Sequence, residues 1–160
     1  MESNFLRVPY AQSVHGQDEI DAVVDVLKTS TQMGKNVNEL EDKVAKMFSK
    51  KFGLMTNSGT SSLMLAAEAL DLPPQSEVLT AAFTFATTVT PILKNNLTPV
   101  FIDAEKDTLN IDASRVEQFI NKKTSAIWIP NMLGNVPDWD VLREIADKYN
   151  LILIEDSADP

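Results

Sequence analysis

The sequence predicts an α/β fold built on a parallel β-sheet. From residue 77 onward, short and continuous apolar runs alternate with segments of helical periodicity. Because the runs do not alternate apolar with polar residues, they predict strands buried on both faces, as in parallel sheets. The helical segments between them supply the crossovers that parallel strands need. No linker, repeat or low-complexity stretch divides the 160 residues, which suffice for one domain or part of a larger one.

The first 70 residues are predicted to be mainly helical. Residues 17–28 and 38–48 place apolar side chains at helical spacing. A short strand is predicted at residues 52–56. Residues 57–70 begin with small polar residues and continue as an almost entirely apolar segment, which predicts a well-buried helix.

The alternating part of the chain then contains four predicted strands and three predicted helices. The strands are expected at residues 77–82, 99–103, 125–130 and 151–155. The helices are expected at residues 85–96, bent by Pro91, at 112–121 with Asp112 as N-cap, and at 138–150 with Asp138 as N-cap. The inward face of the last helix should carry Trp139, Leu142, Ile145, Ala146 and Tyr149. A sheet that stops on a strand lacks its covering helix, so we interpret the domain as cut at its C-terminus.

The composition argues against binding to nucleic acid or to a membrane. The formal charge is −9 and the lysines are mixed with acidic residues, whereas nucleic-acid and anionic-lipid surfaces need clustered Lys and Arg. The sequence shows no signal peptide and no apolar run long enough to span a membrane. With no cysteine, neither a disulfide nor a thiolate metal site is possible. We therefore expect a cytoplasmic protein.

Ligands of open parallel sheets bind beyond the carboxyl ends of the strands, so the segments at these ends carry the candidate chemistry. In "NSGTSS", Gly59 should allow a tight turn that presents the amides of Thr60, Ser61 and Ser62 at a helix N-terminus. Such a group of amides and hydroxyls can bind a phosphate, and it can equally be a simple helix cap. The segment is not a Walker loop, and the chain contains no G-x-G-x-x-G fingerprint.

The last predicted strand delivers two acids, Glu155 and Asp156, to its end. Such a carboxylate can cap a helix, hold a metal, accept a phosphoryl group or pair with a cationic ring nitrogen. A metal site is not predicted, because His15 is the only histidine and lies before the first helix. A buried acid beside a ring nitrogen is what pyridoxal phosphate (PLP) needs to act as an electron sink. Phe83 or Phe85, after the strand at 77–82, could stack on such a ring, although core packing is the commoner role.

These segments together resemble the N-terminal part of the DegT/DnrJ/EryC1/StrS family of PLP-dependent sugar aminotransferases, which have the type I fold. The similarity covers "YAQSVHGQDEIDAVVDVL", "MGKNVNELEDKVAKMF", "NSGTSSLMLAAEAL", "FTFATTVTPILKNNLTPVFID" and "LILIEDSAD". The resemblance implies that residues 1–160 are the N-terminal part of a three-layer, parallel-sheet large domain. The rest of that domain and a small C-terminal domain would be absent.

The resemblance also implies roles for individual residues. Gly59, Thr60 and Ser61 would bind the cofactor phosphate, Phe85 would stack on the ring, and Asp156 would hold the ring nitrogen. Asp159 stands where most family aminotransferases have Gln or His near the phenolic oxygen. This residue, with "TTVTP", "NMLGN" and "SAD", is more similar to the branch of nucleotide 4-keto-6-deoxyhexose 3-dehydratases, which use the pyridoxamine form (PMP).

The implied function is transamination or C3 dehydroxylation of a nucleotide-linked keto-deoxysugar. The catalytic Lys of the aminotransferases, or the equivalent His of the dehydratases, would lie beyond residue 160, so the 160-residue chain is expected to be inactive alone. The alternative is a regulatory or remnant chain that keeps the fold without the chemistry. The resemblance further implies a homodimer at full length, with the loop at residues 31–38 near its interface. A simple helix–helix connection explains that loop equally well.

Overall fold

The computed structural model describes residues 6, 8–9, 11–32 and 34–158. The chain divides into two compact units, residues 1–55 and 56–160. Within the described residues, no helix is both long and apolar enough to cross a membrane.

The described residues of the first unit form the helices α1 (Gln17–Thr29) and α2 (Lys35–Met47), which confirms both predictions. Gly34 is the N-cap of α2, so part of the loop at residues 31–38 is helical. The strand predicted at 52–56 is wrong, because these residues are irregular. The Met55 amide donates to the Glu41 carboxylate (2.7 Å) instead of to a neighbouring strand. A Cβ at Gly53 would lie 2.5 Å from the Glu41 carbonyl oxygen, so no side chain fits there.

The second unit contains the sheet and the remaining helices. The strands are β1 (Glu77–Ala81), β2 (Thr98–Ile102), β3 (Thr124–Pro130) and β4 (Ile152–Asp156). The helices are α3 (Gly59–Ala69), α4 (Ala86–Lys94), α5 (Ala113–Val116), followed by a 3₁₀ turn at Glu117–Phe119, and α6 (Trp139–Tyr149). All four strands predicted after residue 77 are therefore present, in the predicted alternation with helices.

The four strands form a parallel sheet in the order β2-β1-β3-β4. The central strands β1 and β3 are buried along most of their length. The outer strands β2 and β4 are only partly buried, so the prediction that every strand is buried on both faces is wrong for these two. The difference follows from position in the sheet, because an outer strand has a neighbour on one side only.

Helices cover both faces of the sheet and give three layers. On one face, α3 and α4 pack on the β-sheet through a cluster that contains Leu63, Ala67, Ile92 and Trp128. On the other face, α5 and α6 pack through a cluster that contains Ile127, Ile129, Leu142 and Ala146. The layers place α4, and therefore its buried Thr88, over the face of the sheet that carries Trp128.

The helix termini follow the predicted capping residues with two differences. Asp112 and Asp138 accept hydrogen bonds from the Ser114 and Val141 amides, at 3.1 Å each, and cap α5 and α6. The helix at 112–121 is shorter than predicted, since it tightens into the 3₁₀ turn after Val116. Tyr149 is exposed instead of inward, because it belongs to the last turn of α6.

Candidate functional site

The candidate site lies at the carboxyl edge of the sheet in the second unit. The chain runs from β1 to β2 on one side of β1, whereas β3 and β4 lie on the other side, so the strand order reverses between β1 and β3. Ligands of open α/β sheets bind at such a reversal, outside the carboxyl ends of the strands. Phe85 follows β1 and Asp156 ends β4, next to β3.

The N-terminus of α3 presents free hydrogen-bond donors, but fewer than the sequence predicted. Ser58 is the N-cap, and its hydroxyl oxygen accepts from the Ser61 amide at 3.2 Å. The Ser58 hydroxyl in turn donates to the Ser61 hydroxyl oxygen (3.1 Å), which leaves the proton of the Ser61 hydroxyl available. The Ser62 amide bonds the Ser58 carbonyl at 3.1 Å. The amides of Gly59 and Thr60 therefore remain as the exposed donors that an anion could use.

Gly59 does not form the tight turn expected of it. It is the first residue of α3, and the described glycines with positive φ are Gly34 and Gly134. A methyl group at Gly59 would lie 3.8 Å from the Ala158 Cβ, which is an ordinary contact. Gly59 is therefore required neither for backbone freedom nor for a close approach, since a methyl group fits beside the segment after β4.

Because Gly59 has room for a methyl group and Gly134 has a positive φ, the two glycine substitutions should have different outcomes. Gly59→Ala should leave the free energy of unfolding unchanged or raise it by up to about 1 kcal/mol, because alanine is the better helix former. Gly134→Ala should lower it by about 1 kcal/mol or more, because Gly134 has φ +79°. Urea unfolding of both variants checks the contrast. A loss of stability in Gly59→Ala as large as that in Gly134→Ala would contradict it.

Phe85 is available for stacking. Its side chain is 67% exposed, and it precedes α4 as the N-cap residue. Phe83 is 45% exposed, so the core role considered for both phenylalanines is wrong. Between them, the Thr84 hydroxyl oxygen is buried and has no partner among the described residues. An exposed ring at the rim of a sheet can lie against a flat, apolar or cationic ligand.

Asp156 is held firmly at the end of β4. It is 6% exposed, and its Oδ1 accepts from the Ala158 amide at 3.2 Å. Its Oδ2 accepts from the Thr88 hydroxyl at 2.8 Å, in a buried hydrogen bond. Each carboxylate oxygen still has a second lone pair, so Asp156 can accept from one further cationic donor. Its burial argues against a solvated acid, whereas the hydrogen bond from the Ala158 amide is one that a capping Asp also makes.

Glu155 points to a separate, more exposed group of polar side chains. Its Oε1 accepts from Asn131 Nδ2 (2.9 Å) and from the Ser157 hydroxyl (2.8 Å). Asn131 is fixed in turn by the Trp139 indole N–H, which donates to its Oδ1 at 3.2 Å. This arrangement ties the loop after β3 to the end of β4 beside Asp156.

The structure brings three distant segments together. Asp156 bonds Thr88 on the helix that begins after Phe85, and Ala158 lies beside Gly59 at the start of α3. The α3 terminus, the segment at 85–88 and the end of β4 therefore meet at one edge of the sheet. The cofactor-binding roles of Gly59, Thr60, Ser61, Phe85 and Asp156 stay predictions. Asp159 lies outside the described residues.

Two residues of this site, Ser58 and Thr88, are not predicted from the sequence. Ser58 could have been recognised, because Ser directly before a helix is a preferred N-cap. Thr88 carries no comparable signal, since four threonines occur between residues 84 and 90. Only the packing of α4 on the sheet shows which of them faces Asp156.

Known proteins are similar to this chain in sequence and in fold. Residues 14–160 match the model of the DegT/DnrJ/EryC1/StrS aminotransferase family. The chain is 39% identical to the lipopolysaccharide biosynthesis protein RfbH of Salmonella typhimurium, over 95% of this chain and 37% of that protein. It is 32% identical to the UDP-2-acetamido-2-deoxy-3-oxo-D-glucuronate aminotransferase of Pseudomonas aeruginosa, over 92% of this chain and 42% of that protein.

One solved structure is similar to this chain in fold as well as in sequence. It is the E. coli GDP-4-keto-6-deoxy-D-mannose-3-dehydratase with bound hydrated PLP, with a TM-score of 0.88 and 30% identity. The match covers 96% of this chain and 41% of the dehydratase chain. The chain thus spans about two fifths of the length of these relatives. The family match over residues 14–160 and the shared parallel-sheet fold show that the chain belongs to the DegT/DnrJ/EryC1/StrS aminotransferase family.

Proposed function

We propose that this chain forms the cofactor site of a PLP- or PMP-dependent enzyme that modifies a nucleotide-linked keto-deoxysugar. The observation that carries the proposal is the convergence of an anion-binding helix terminus, an exposed aromatic ring and a buried carboxylate at one edge of the sheet. We also propose that residues 1–160 belong to the large, cofactor-binding domain.

The donors at the start of α3 fit the phosphate of this cofactor. The Gly59 and Thr60 amides and the Thr60 and Ser61 hydroxyls would donate to the phosphate oxygens, and the α3 dipole favours the negative charge. The cap bond from Ser58 holds the first turn in place while these donors stay exposed. The net charge of −9 does not oppose binding, because the local amides supply the attraction.

Phe85 and Asp156 fit the ring of the cofactor. Phe85 would cover one ring face. The Asp156 carboxylate would accept a hydrogen bond from the protonated ring nitrogen. The two protein donors on Asp156 leave it acceptor capacity for this bond. When bound, the cofactor supplies an electron sink whose strength depends on the ring nitrogen staying protonated. The part of this chain in the chemistry is to hold that proton in place, to orient the ring and to bind the phosphate.

Two reactions on the sugar are compatible with this site, and the sequence favours dehydroxylation at C3. Asp159 stands where the similar aminotransferases carry Gln or His, and the segments "TTVTP", "NMLGN" and "SAD" resemble the dehydratase branch. Transamination is the second candidate, supported by the aminotransferase from Pseudomonas aeruginosa. Because the chain spans about two fifths of these relatives, we propose that the residue that transfers protons on the substrate lies outside residues 1–160.

We propose a homodimer for the full-length protein, with residues 31–38 near its interface. A regulatory chain that keeps the fold without the chemistry is the alternative to an enzyme. Such a chain need not bind PLP or PMP, so absence of cofactor binding would favour this alternative.

The test measures equilibrium binding of PLP and of PMP to the full-length protein. Ring absorbance and quenching of tryptophan fluorescence report the binding. We expect saturable binding of one cofactor per chain. Phe85→Leu should raise the Kd about 2- to 10-fold, since an aromatic pair contributes about 0.5–1.5 kcal/mol beyond its buried area. Phe83→Leu, an exposed ring two residues away, is the matched control and should bind as the unaltered protein does. The absence of saturable binding of both cofactors would overturn the proposed function.

A further inference from the structure

We propose that Thr88 is a positioning residue that fixes the carboxylate of Asp156 in the orientation that receives the ring nitrogen. The inference rests on the proposed function and extends it to a side chain that does not contact the cofactor ring itself. It starts from one buried hydrogen bond, between the Thr88 hydroxyl and Asp156 Oδ2 at 2.8 Å.

The direction of this hydrogen bond follows from its partners. A carboxylate can only accept, so the Thr88 hydroxyl must donate its single proton to Asp156. Thr88 is fully buried. Its β-branched side chain has few rotamers in a helix, so the hydroxyl is directed at the carboxylate with little freedom.

A second threonine of α4 shows that this arrangement is not the default for the helix. The Thr90 hydroxyl donates to the Ala86 carbonyl four residues earlier, at 2.8 Å, which is the usual local bond of a helical threonine. Thr88 instead reaches across 68 residues of sequence to the end of β4. Thr88 therefore links α4, which starts after the stacking residue Phe85, to the acid for the ring nitrogen.

Holding both oxygens fixes the plane of the carboxylate. Oδ1 accepts from the Ala158 amide and Oδ2 accepts from Thr88, so rotation about the Cβ–Cγ bond would break both hydrogen bonds. The remaining lone pairs then point in set directions, toward a donor that approaches at the sheet edge. Without the Thr88 hydroxyl, Oδ2 loses its protein donor and only the hydrogen bond from the Ala158 amide opposes rotation of the carboxylate. A ring nitrogen would meet a less well-oriented acceptor and would keep its proton less strongly.

Three substitutions test this role in the full-length protein. Thr88→Val keeps the shape and removes the hydroxyl, and Thr88→Ser keeps the hydroxyl. Thr90→Val removes a hydroxyl of the same helix that bonds only the backbone. Three quantities are measured. They are the Kd for PLP, the pH at which the ring nitrogen of bound ¹⁵N-labelled PLP loses its proton, as monitored by NMR, and the urea midpoint of the cofactor-free protein.

We expect Thr88→Val to raise the Kd about 10-fold, because the hydrogen bond between the ring nitrogen and a less well-oriented carboxylate is weaker. The ring nitrogen should also lose its proton at a lower pH. Thr88→Ser and Thr90→Val should match the unaltered protein in both readouts. If Thr88→Val does not fold, Thr88→Ala compared with Thr88→Ser makes the same comparison without the added methyl group.

A variant without the Thr88 hydroxyl that keeps the Kd and the ring-nitrogen profile, and loses only stability, would show a purely structural Thr88 and overturn the inference. Failure of the proposed function is distinguishable from this result. In that case the unaltered protein would not bind PLP, or its bound ring nitrogen would not be protonated.

Discussion

Replacement of Asp156 by Asn is expected to raise the Kd for PLP by about 10- to 100-fold in the full-length protein. The carboxylate is the charged acceptor for the protonated ring nitrogen in the proposed site, and a hydrogen bond to a charged group contributes about 1.5–3 kcal/mol. Asn has nearly the same shape and keeps one oxygen, so the fold around the end of β4 should persist. The absorbance of the bound ring should shift as well, because the ring nitrogen loses the charge that stabilises its protonated form.

Asp103 offers a matched control for this substitution. It follows β2 at the same edge of the sheet, and its side chain is exposed and pairs at 3.8 Å with Arg115. Asp103→Asn should therefore leave the Kd and the absorbance of bound PLP unchanged. If Asp156→Asn bound PLP with the original Kd and spectrum, Asp156 would not be the partner of the ring nitrogen.

Trp128 carries the largest expected effect on stability. It is 0% exposed in β3 and packs in the cluster with Leu63, Ile92 and Leu97. Trp128→Ala should lower the free energy of unfolding by about 3–5 kcal/mol, because it removes the largest side chain of this cluster and leaves a cavity. Trp128→Phe should cost at least about 2 kcal/mol less, because the buried indole N–H has no partner among the described residues and its loss leaves nothing unsatisfied.

The second tryptophan gives the comparison for the indole N–H. Trp139 donates to Asn131 at 3.2 Å, so Trp139→Phe breaks a hydrogen bond that Trp128→Phe does not. Urea unfolding of the cofactor-free protein, followed by far-ultraviolet circular dichroism, gives all three values. If Trp128→Phe lowered the free energy of unfolding as much as Trp128→Ala does, a phenyl ring would not keep the packing of the indole. The expected difference between the two variants would then be wrong.

Most of the second unit could be predicted from sequence, because its signals are local. Continuous apolar runs mark β1 to β4, and Asp112 and Asp138 mark the starts of α5 and α6. The predictions that failed depend on neighbours. The apolar residues 52–56 form no strand, since the Met55 amide bonds a side chain of α2. The partial exposure of β2 and β4 follows from strand order, which no single run of residues encodes.

The residues of the candidate site also divide into those with a local sequence signal and those without one. Gly59, Phe85 and Asp156 could be found because they stand directly at the ends of predicted elements. The Ser58 cap could have been found in the same way, since Ser is a preferred N-cap. The position of Ala158 beside Gly59 could not, because it depends on how the segment after β4 packs against α3. Thr88 could not be predicted from the sequence for a further reason. Its hydrogen-bond partner, Asp156, lies in β4, and three other threonines stand between residues 84 and 90.

The hydrogen bond between Thr88 and Asp156 also has a consequence for the order of folding. It closes a loop of 68 residues, and contacts of such sequence separation form late, after the local structure that flanks them. A ligand held by the α3 terminus, Phe85 and Asp156 would bind only molecules in which β4 has already joined the sheet. Such a ligand stabilises the complete fold by mass action. Docking of β4 and retention of the cofactor would then be one cooperative event, so that the amides of β4 exchange with solvent more slowly when the site is filled.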